Sequence, residues 1–154
     1  MTSALGTATN TEDDLTGALY HQVQSFYAHQ MQLLDSGRVD SWAETFTEEG
    51  VFETDTTGAV EGRETIRRAA GAAQQALRAK GMRHRHWLGM VDVRVAGADQ
   101  LEVRSYALVL AIAPGGPATV HVSTTCDDEL VREDGRWRVR RRVVHRDDIE
   151  AGEG

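Results

Sequence analysis

The chain has 154 residues and a formal net charge of −7, with 17 lysines and arginines against 24 aspartates and glutamates. This length suits one domain with a hydrophobic core, and the acidic balance argues against a nucleic-acid partner because phosphate binding requires a basic surface. No apolar run approaches the roughly 20 residues that cross a bilayer, and the polar N-terminus has no signal segment, so we expect a soluble cytoplasmic protein that does not bind membranes. The single cysteine, Cys126, excludes an internal disulfide and a multi-cysteine metal site.

The first half of the chain is predicted to be mainly helical. Residues 1–12 are small and polar, and we expect a mobile tail there. Apolar residues then recur at steps of three and four, which predicts a helix capped by Asp13 or Asp14 and ended by Gly37. The elements predicted in this half are helices over 13–35, 40–46 and 62–80, and short strands over 51–54 and 59–60.

The second half is rich in β-forming residues, in four segments over 83–96, 100–113, 118–133 and 136–146. Short turn sequences separate them, so neighbouring strands should pair antiparallel as hairpins. Strands this long need a bulge to curve, and Gly89 is a plausible site. The order predicts one α+β domain over 13–148, with a strongly curved, mainly antiparallel sheet around three N-terminal helices and a C-terminal tail over 149–154.

Asp35 lies at the end of the first predicted helix, eight residues after Tyr27. Eight residues is a little over two turns, so both side chains share the face that carries the apolar residues. An inward Asp35 would need a cation or a proton, because a buried unpaired carboxylate is costly. The alternative is an exposed aspartate that caps the helix end.

His84 and His86 alternate onto one face of the first long strand, and the two faces of this strand are both apolar. We therefore expect a strand covered on both sides, with imidazoles at an apolar cavity wall, where a histidine can transfer protons near neutral pH. Two alternatives stay open. One is a hydrogen-bonded core histidine, and the other is a His-x-His metal site, for which no third ligand follows at a suitable spacing.

Cys126 and Asp128 share a face of the third long strand, and Arg141 lies on the fourth. If these faces meet inside the sheet, Asp128 and Arg141 form a buried pair that lines a cavity, where it orients a substrate or holds the sheet closed. Cys126 has no activating neighbour in the sequence, which argues against a nucleophile.

The arginine-rich run over 136–142 has the composition of a nucleic-acid patch. Alternation directs Arg138, Arg140 and Arg142 to one face, where acidic residues of the adjacent strand can meet them, so we interpret the run as a salt-bridged outer face. Nucleotide-binding glycine motifs, a G-x-S-x-G elbow and an H-E-x-x-H motif are all missing, and we expect no cofactor and no metal.

Four segments carry a resemblance to a known family: Leu-Asp-Ser-Gly-Arg-Val-Asp-Ser-Trp at 34–42, Glu-Gly-Arg-Glu-Thr-Ile at 61–66, Arg-His-Trp-Leu-Gly at 85–89, and the hairpin over 128–139. Together they resemble the nuclear-transport-factor-two-like superfamily, in its SnoaL-like and scytalone-dehydratase-like branch. The resemblance implies a cone-shaped α+β barrel around a deep apolar pocket, usually in a homodimer. Active members of that family are typically cofactor-free dehydratases, isomerases, cyclases or epoxide hydrolases that act on small hydrophobic molecules.

Carried onto this chain, the resemblance implies Asp35 and His86 as the catalytic pair. The branch's second pocket histidine has no match on the next strand, which reads Ser-Tyr-Ala-Leu-Val-Leu over 105–110, and His84 is a possible replacement. The role of His145 stays open. The expected substrate-binding residues are Tyr27, Trp42, Phe52, His84, Tyr106, Asp128 and Arg141.

Two functions follow. The first is a cyclase, dehydratase or isomerase that uses Asp/His acid–base chemistry on a polyketide-like or aromatic natural-product intermediate. The second is a non-catalytic binder of hydrophobic ligands or a structural module, such as a protein similar to the small subunit of ring-hydroxylating dioxygenases.

Overall fold

The computed structural model describes residues 11–150, and the side chains from residue 16 onward. The first ten residues of the predicted N-terminal tail and residues 151–154 of the predicted C-terminal tail lie outside the described part. The side chains of the two predicted caps, Asp13 and Asp14, are also outside it.

Three helices form the N-terminal part: α1 (Thr11–Asp35), α2 (Val39–Ala43) and α3 (Arg63–Ala79). Helix α1 begins two residues before the predicted start and is followed by Gly37, whose φ of 77° suits glycine and turns the chain towards α2. Helix α2 is shorter than predicted, because Phe46 already belongs to the first strand.

Six strands form one sheet: β1 (Phe46–Thr54), β2 (Gly58–Glu61), β3 (Arg83–Gly97), β4 (Gln100–Ile112), β5 (Ala118–Glu133) and β6 (Arg136–Arg146). Their order across the sheet is β2-β1-β6-β5-β4-β3. The three predicted hairpins from β3 to β6 are confirmed as antiparallel pairs, whereas β1 joins β6 in a parallel pairing. The curved, unclosed sheet packed with three helices confirms the predicted α+β fold.

β-Bulges interrupt three of the long strands and change which residues face inward. In β3 the register shifts between Gly89 and Asp92, where Met90 adopts a φ of 50°, so the bulge lies next to the predicted position. In β5 an extra residue, His121, lies between the partners of Val109 and Leu110. In β6 the extra residue is Arg140, because Leu130 pairs with Val139 but Glu129 pairs with Arg141. A bulge reverses the alternation of side chains beyond it.

The core lies between α1 and the concave face of the sheet. Val23 of α1 packs there with Leu101, Leu130 and Val139, and all four are at most 1% exposed. The expectation that β3 is covered on both sides is wrong for the single chain, since Trp87 is 68% exposed on the convex face. Among the described residues, no helix has the length and apolar character needed to cross a membrane.

Candidate active site

A cavity of about 450 Å³ opens between the helices and the concave face of the sheet. Its walls are mainly apolar, with Met31 and Leu34 from α1, Ile66 and Leu77 from α3, and Leu88 and Val109 from the sheet. Of the predicted site residues, Trp42, Phe52, His84 and His86 line this cavity. Its volume lies in the range of small-molecule sites.

Asp35 and His86 are in direct contact. The Oδ1 atom of Asp35 lies 2.6 Å from Nδ1 of His86, and its Oδ2 accepts the backbone N–H of His86 at 3.0 Å. The Asp35 side chain is 7% exposed and that of His86 is 21% exposed. Because both carboxylate oxygens accept hydrogen bonds from one residue, Asp35 fixes both the imidazole and the strand that carries it. The alternative of an exposed helix-capping aspartate does not apply.

Two further histidines, His84 and His121, lie beside the Asp35–His86 contact. The ring of His84 is 6.5 Å from that of His86 and 5.0 Å from that of His121. His121 was missed by sequence reasoning, because regular alternation along β5 gives no sign of the bulge that carries it. Burial, together with the nearby His121 and His86, lowers the pKa of His84 below its ordinary value.

The lowered pKa of His84 predicts a loss of stability on acidification. Below the ordinary pKa of 6.5, the unfolded chain binds a proton at this site more readily than the folded chain does, so folding weakens as the pH falls. Replacing His84 by glutamine should therefore flatten the decline of Tm between about pH 7.5 and pH 5. The same replacement at His21, an exposed residue of α1, is the control. Parallel Tm curves for His84→Gln and the wild type would contradict the prediction.

A buried polar network lies around Arg142, between α1 and the concave face of the sheet. Its Nε and Nη2 atoms donate to the two oxygens of Asp128 at 2.8 and 2.7 Å, and Nη2 also donates to Gln30. Tyr27 donates its hydroxyl to Asp128 at 2.8 Å. Burial, and next the negative charge of Asp128, raise the pKa of Tyr27 well above its ordinary value, so this phenol stays protonated. Tyr27 and Asp128, predicted to bind substrate, belong to this network and do not line the cavity.

The predicted Asp128–Arg141 pair is wrong. Arg141 lies on the convex face with its side chain 46% exposed, and it donates to Glu53 at 2.6 Å. Arg142 takes the inward position because the bulge at Arg140 shifts the alternation of β6 by one residue. Of the three arginines in the predicted outer face, Arg140 pairs with Glu129 of the adjacent strand at 3.1 Å and Arg138 pairs with Glu44 at 3.8 Å. Arg142 instead points inward.

Tyr106 and His145 lie away from the cavity. Tyr106 is 57% exposed on the convex face, because its neighbour Ser105 takes the inward position of β4, and it does not line the cavity. His145 lies at the end of β6, where its Nδ1 is 3.1 Å from Oδ1 of Asp55.

Cys126 lines the cavity as a buried thiol. Burial, and next the charge of Asp128, raise its pKa well above the ordinary value, which disfavours the thiolate that a nucleophile requires. Within residues 16–150, no group of three or more histidine, cysteine, aspartate or glutamate side chains is arranged to hold a metal ion.

Several solved structures are similar to this chain in both sequence and fold. ActVI-ORFA from Streptomyces coelicolor is 31% identical with a TM-score of 0.81, covering 88% of this chain and 99% of its own. Aln2 from another Streptomyces strain is 33% identical with a TM-score of 0.79, covering 85% and 92%. A protein from Catenulispora acidiphila in complex with S-DNPA is 34% identical with a TM-score of 0.75, covering 86% and 96%.

No functionally curated protein shows significant sequence similarity to the chain. The family described as "SnoaL-like domain", of the nuclear-transport-factor-two-like superfamily, matches residues 18–143. This match runs from within α1 to Val143 of β6 and includes the histidine–aspartate pair, most of the cavity lining and the buried arginine network. The chain belongs to the SnoaL-like domain family.

Proposed function

We propose that this protein is a cofactor-free enzyme, a cyclase, dehydratase or isomerase, that acts on a hydrophobic polyketide-like or aromatic intermediate. Membership of the SnoaL-like family supports the general class of polyketide cyclases and dehydratases. The observation that carries the proposal is the contact between Asp35 and His86 at the wall of an apolar cavity.

His86 is the proposed general base, and later the general acid. Its Nδ1–H donates to the Asp35 carboxylate, which leaves the lone pair of Nε2 to accept a proton from a substrate carbon next to a carbonyl. Asp35 is a positioning residue, because it holds the required tautomer and stabilises the imidazolium that forms. The enolate then closes a ring, shifts a double bond or expels a leaving group, and the proton on Nε2 returns to the product or the leaving group.

Proton exchange tests this proposal without the natural substrate. The probe is 2-tetralone, a bicyclic aromatic ketone, and NMR follows the replacement of its α-protons by deuterium in D₂O. The wild type should accelerate this exchange above the rate in buffer, and the double variant Asp35→Asn/His86→Ala should return it to the buffer rate. Exchange at the wild-type rate in the double variant would dispose of the mechanism, and no acceleration by the wild type would favour a ligand-binding module.

We also propose that the protein forms a homodimer through the convex face of its sheet. Trp87, Tyr106 and Val120 are 57–68% exposed there, on three adjacent strands, and Trp87 pairs directly with Leu108. On one side of this patch, Arg104 forms an ion pair with Asp127 within the chain. An exposed apolar patch suits a second copy of itself, because a two-fold interface places the same patch on both sides.

The exposed indole of Trp87 provides the test of the dimer. The wild type should have about twice the chain mass of 16.9 kDa in size-exclusion chromatography with light scattering, and Trp87→Glu should have the monomer mass. Tyr20→Glu alters an exposed aromatic residue of α1 and should remain a dimer. A monomeric wild type, or a dimeric Trp87→Glu, would contradict the proposed interface.

A further inference from the structure

We propose that Arg142 is a specificity-determining residue, whose free Nη1 donates a hydrogen bond to a neutral carbonyl oxygen at the deep end of the substrate. This inference deepens the proposed function, since it concerns the substrate of the same cavity. It adds an acceptor requirement to a site whose other walls are mainly apolar.

The hydrogen bonds of Arg142 leave one nitrogen available. Nε and Nη2 donate to Asp128 and Gln30, whereas Nη1 has no hydrogen-bond partner among residues 16–150. The residue is only 3% exposed, yet it lines the cavity. Nη1 is not among the fully buried atoms without a partner in the described part of the chain, so it reaches the cavity, where a ligand acceptor gains a hydrogen bond from a charged donor.

The rings around Arg142 hold its guanidinium in place. Its Cζ lies 5.6 Å from the ring centre of Phe46 and 6.0 Å from those of Phe52 and Tyr27. Together with the two-pronged bond to Asp128, this packing fixes the direction of the donor before a ligand arrives. The donor is therefore preorganised, which favours one acceptor position over others.

The charges around Nη1 favour a neutral oxygen over a carboxylate. Asp128 already balances the positive charge of Arg142, and Tyr27 and Cys126 stay protonated because burial raises their pKa values. An added carboxylate would bring an unbalanced negative charge into a mainly apolar cavity. A ketone or quinone oxygen accepts the same hydrogen bond without that cost.

The register of the sheet separates this subsite from the proposed acid–base pair. His86 of β3 pairs with Val109 of β4, which in turn pairs with Val122 of β5. Arg142 of β6 pairs with Asp128, which lies six residues after Val122 in β5. The oxygen at Arg142 and the carbonyl activated at His86 are therefore separate groups. The inferred substrate is an extended, ring-containing molecule with an oxygen function near each end.

Three probes with the same ring skeleton test the acceptor requirement. Calorimetry compares 9-fluorenone with fluorene, which lacks the carbonyl, and with fluorene-9-carboxylate. The wild type should bind 9-fluorenone about tenfold more tightly than fluorene, as a hydrogen bond from a charged donor predicts. The infrared carbonyl-stretching frequency of 9-fluorenone should be lower in the complex than in an apolar solvent. A wild type that binds fluorene equally well, or prefers the carboxylate, would overturn the inference.

A matched pair of variants assigns the effect to one arginine. Arg142→Lys keeps a positive charge beside Asp128 but lacks Nη1, and should reduce the preference for 9-fluorenone to less than about twofold. Arg146→Lys is the control, because Arg146 also lines the cavity but donates to Asp148. A preference lost in Arg146→Lys and kept in Arg142→Lys would overturn the assignment. If Arg142→Lys does not fold, two wild-type measurements decide whether the inference holds: the ratio of affinities for 9-fluorenone and fluorene, and the shift of the carbonyl-stretching frequency.

The outcome is independent of the proposed chemistry. 9-Fluorenone has no proton on the carbons next to its carbonyl, so its binding does not report on proton transfer by His86. Equal binding of 9-fluorenone and fluorene with intact α-proton exchange would overturn the Arg142 inference alone. Tighter binding of 9-fluorenone than of fluorene, without enzyme-catalysed α-proton exchange, would overturn the proposed function and support the Arg142 subsite.

Discussion

Replacing His86 by alanine is expected to lower kcat for α-proton exchange by about 10²–10⁴-fold, the usual contribution of a general acid–base group. Asp35→Asn should cause a smaller loss, because the amide oxygen can still accept the backbone N–H of His86. Initial rates over a range of 2-tetralone concentrations measure both variants. Activity of His86→Ala within about threefold of the wild type would contradict the assignment.

The split between kcat and KM separates the two proposed roles. Asp35 lies behind His86 and does not line the cavity, so its loss should reduce kcat and leave KM nearly unchanged. Phe52→Leu is a suitable contrast, because Phe52 lines the cavity without contacting the proposed acid–base pair, and its change should appear mainly in KM. A kcat effect of Phe52→Leu as large as that of Asp35→Asn would remove the distinction.

Replacing Arg142 by methionine is expected to destabilise the fold by about 3–5 kcal/mol, because it leaves the carboxylate of Asp128 buried and unpaired. The Asp128 side chain is 0% exposed, so water cannot replace the lost partner. For a domain of this size, thermal denaturation should show a fall in Tm of roughly 6–20 °C.

Two comparisons sharpen this prediction. Arg141→Met, one residue earlier in the chain, removes an exposed ion pair with Glu53 and should cost less than about 1 kcal/mol. The double variant Arg142→Met/Asp128→Leu removes both buried charges and should recover much of the lost stability. Equal effects of the two methionine variants would contradict the inward position of Arg142.

The sequence was sufficient to predict the long elements and the proposed acid–base pair. Helix α1 follows from its apolar spacing, and the hairpins follow from their turn residues. The contact of Asp35 with His86 was expected from the inward face of α1 and from the family resemblance, not from either residue alone. The structure places the two residues together, while their catalytic role remains a proposal.

The predictions of side-chain direction that failed lie at β-bulges, where simple alternation no longer determines which face of the sheet a side chain occupies. Strict alternation directed Arg141 inward, but the extra residue Arg140 gives that place to Arg142. The bulge that carries His121 hid its contact with His84 for the same reason. No pattern within β4 decided the direction of Tyr106, which is exposed outside the cavity. A bulge depends on the twist of neighbouring strands, which the sequence of one strand does not encode.

Strand β3 is an edge strand of the sheet, so the contact of Asp35 with its backbone has a second effect. Border strands present unbonded backbone groups that can recruit a strand from another molecule and start aggregation. By accepting the main-chain N–H of His86, the Asp35 carboxylate occupies one such group. The residue that contacts the imidazole therefore also covers part of the exposed edge of the sheet, and its loss is expected to reduce colloidal stability.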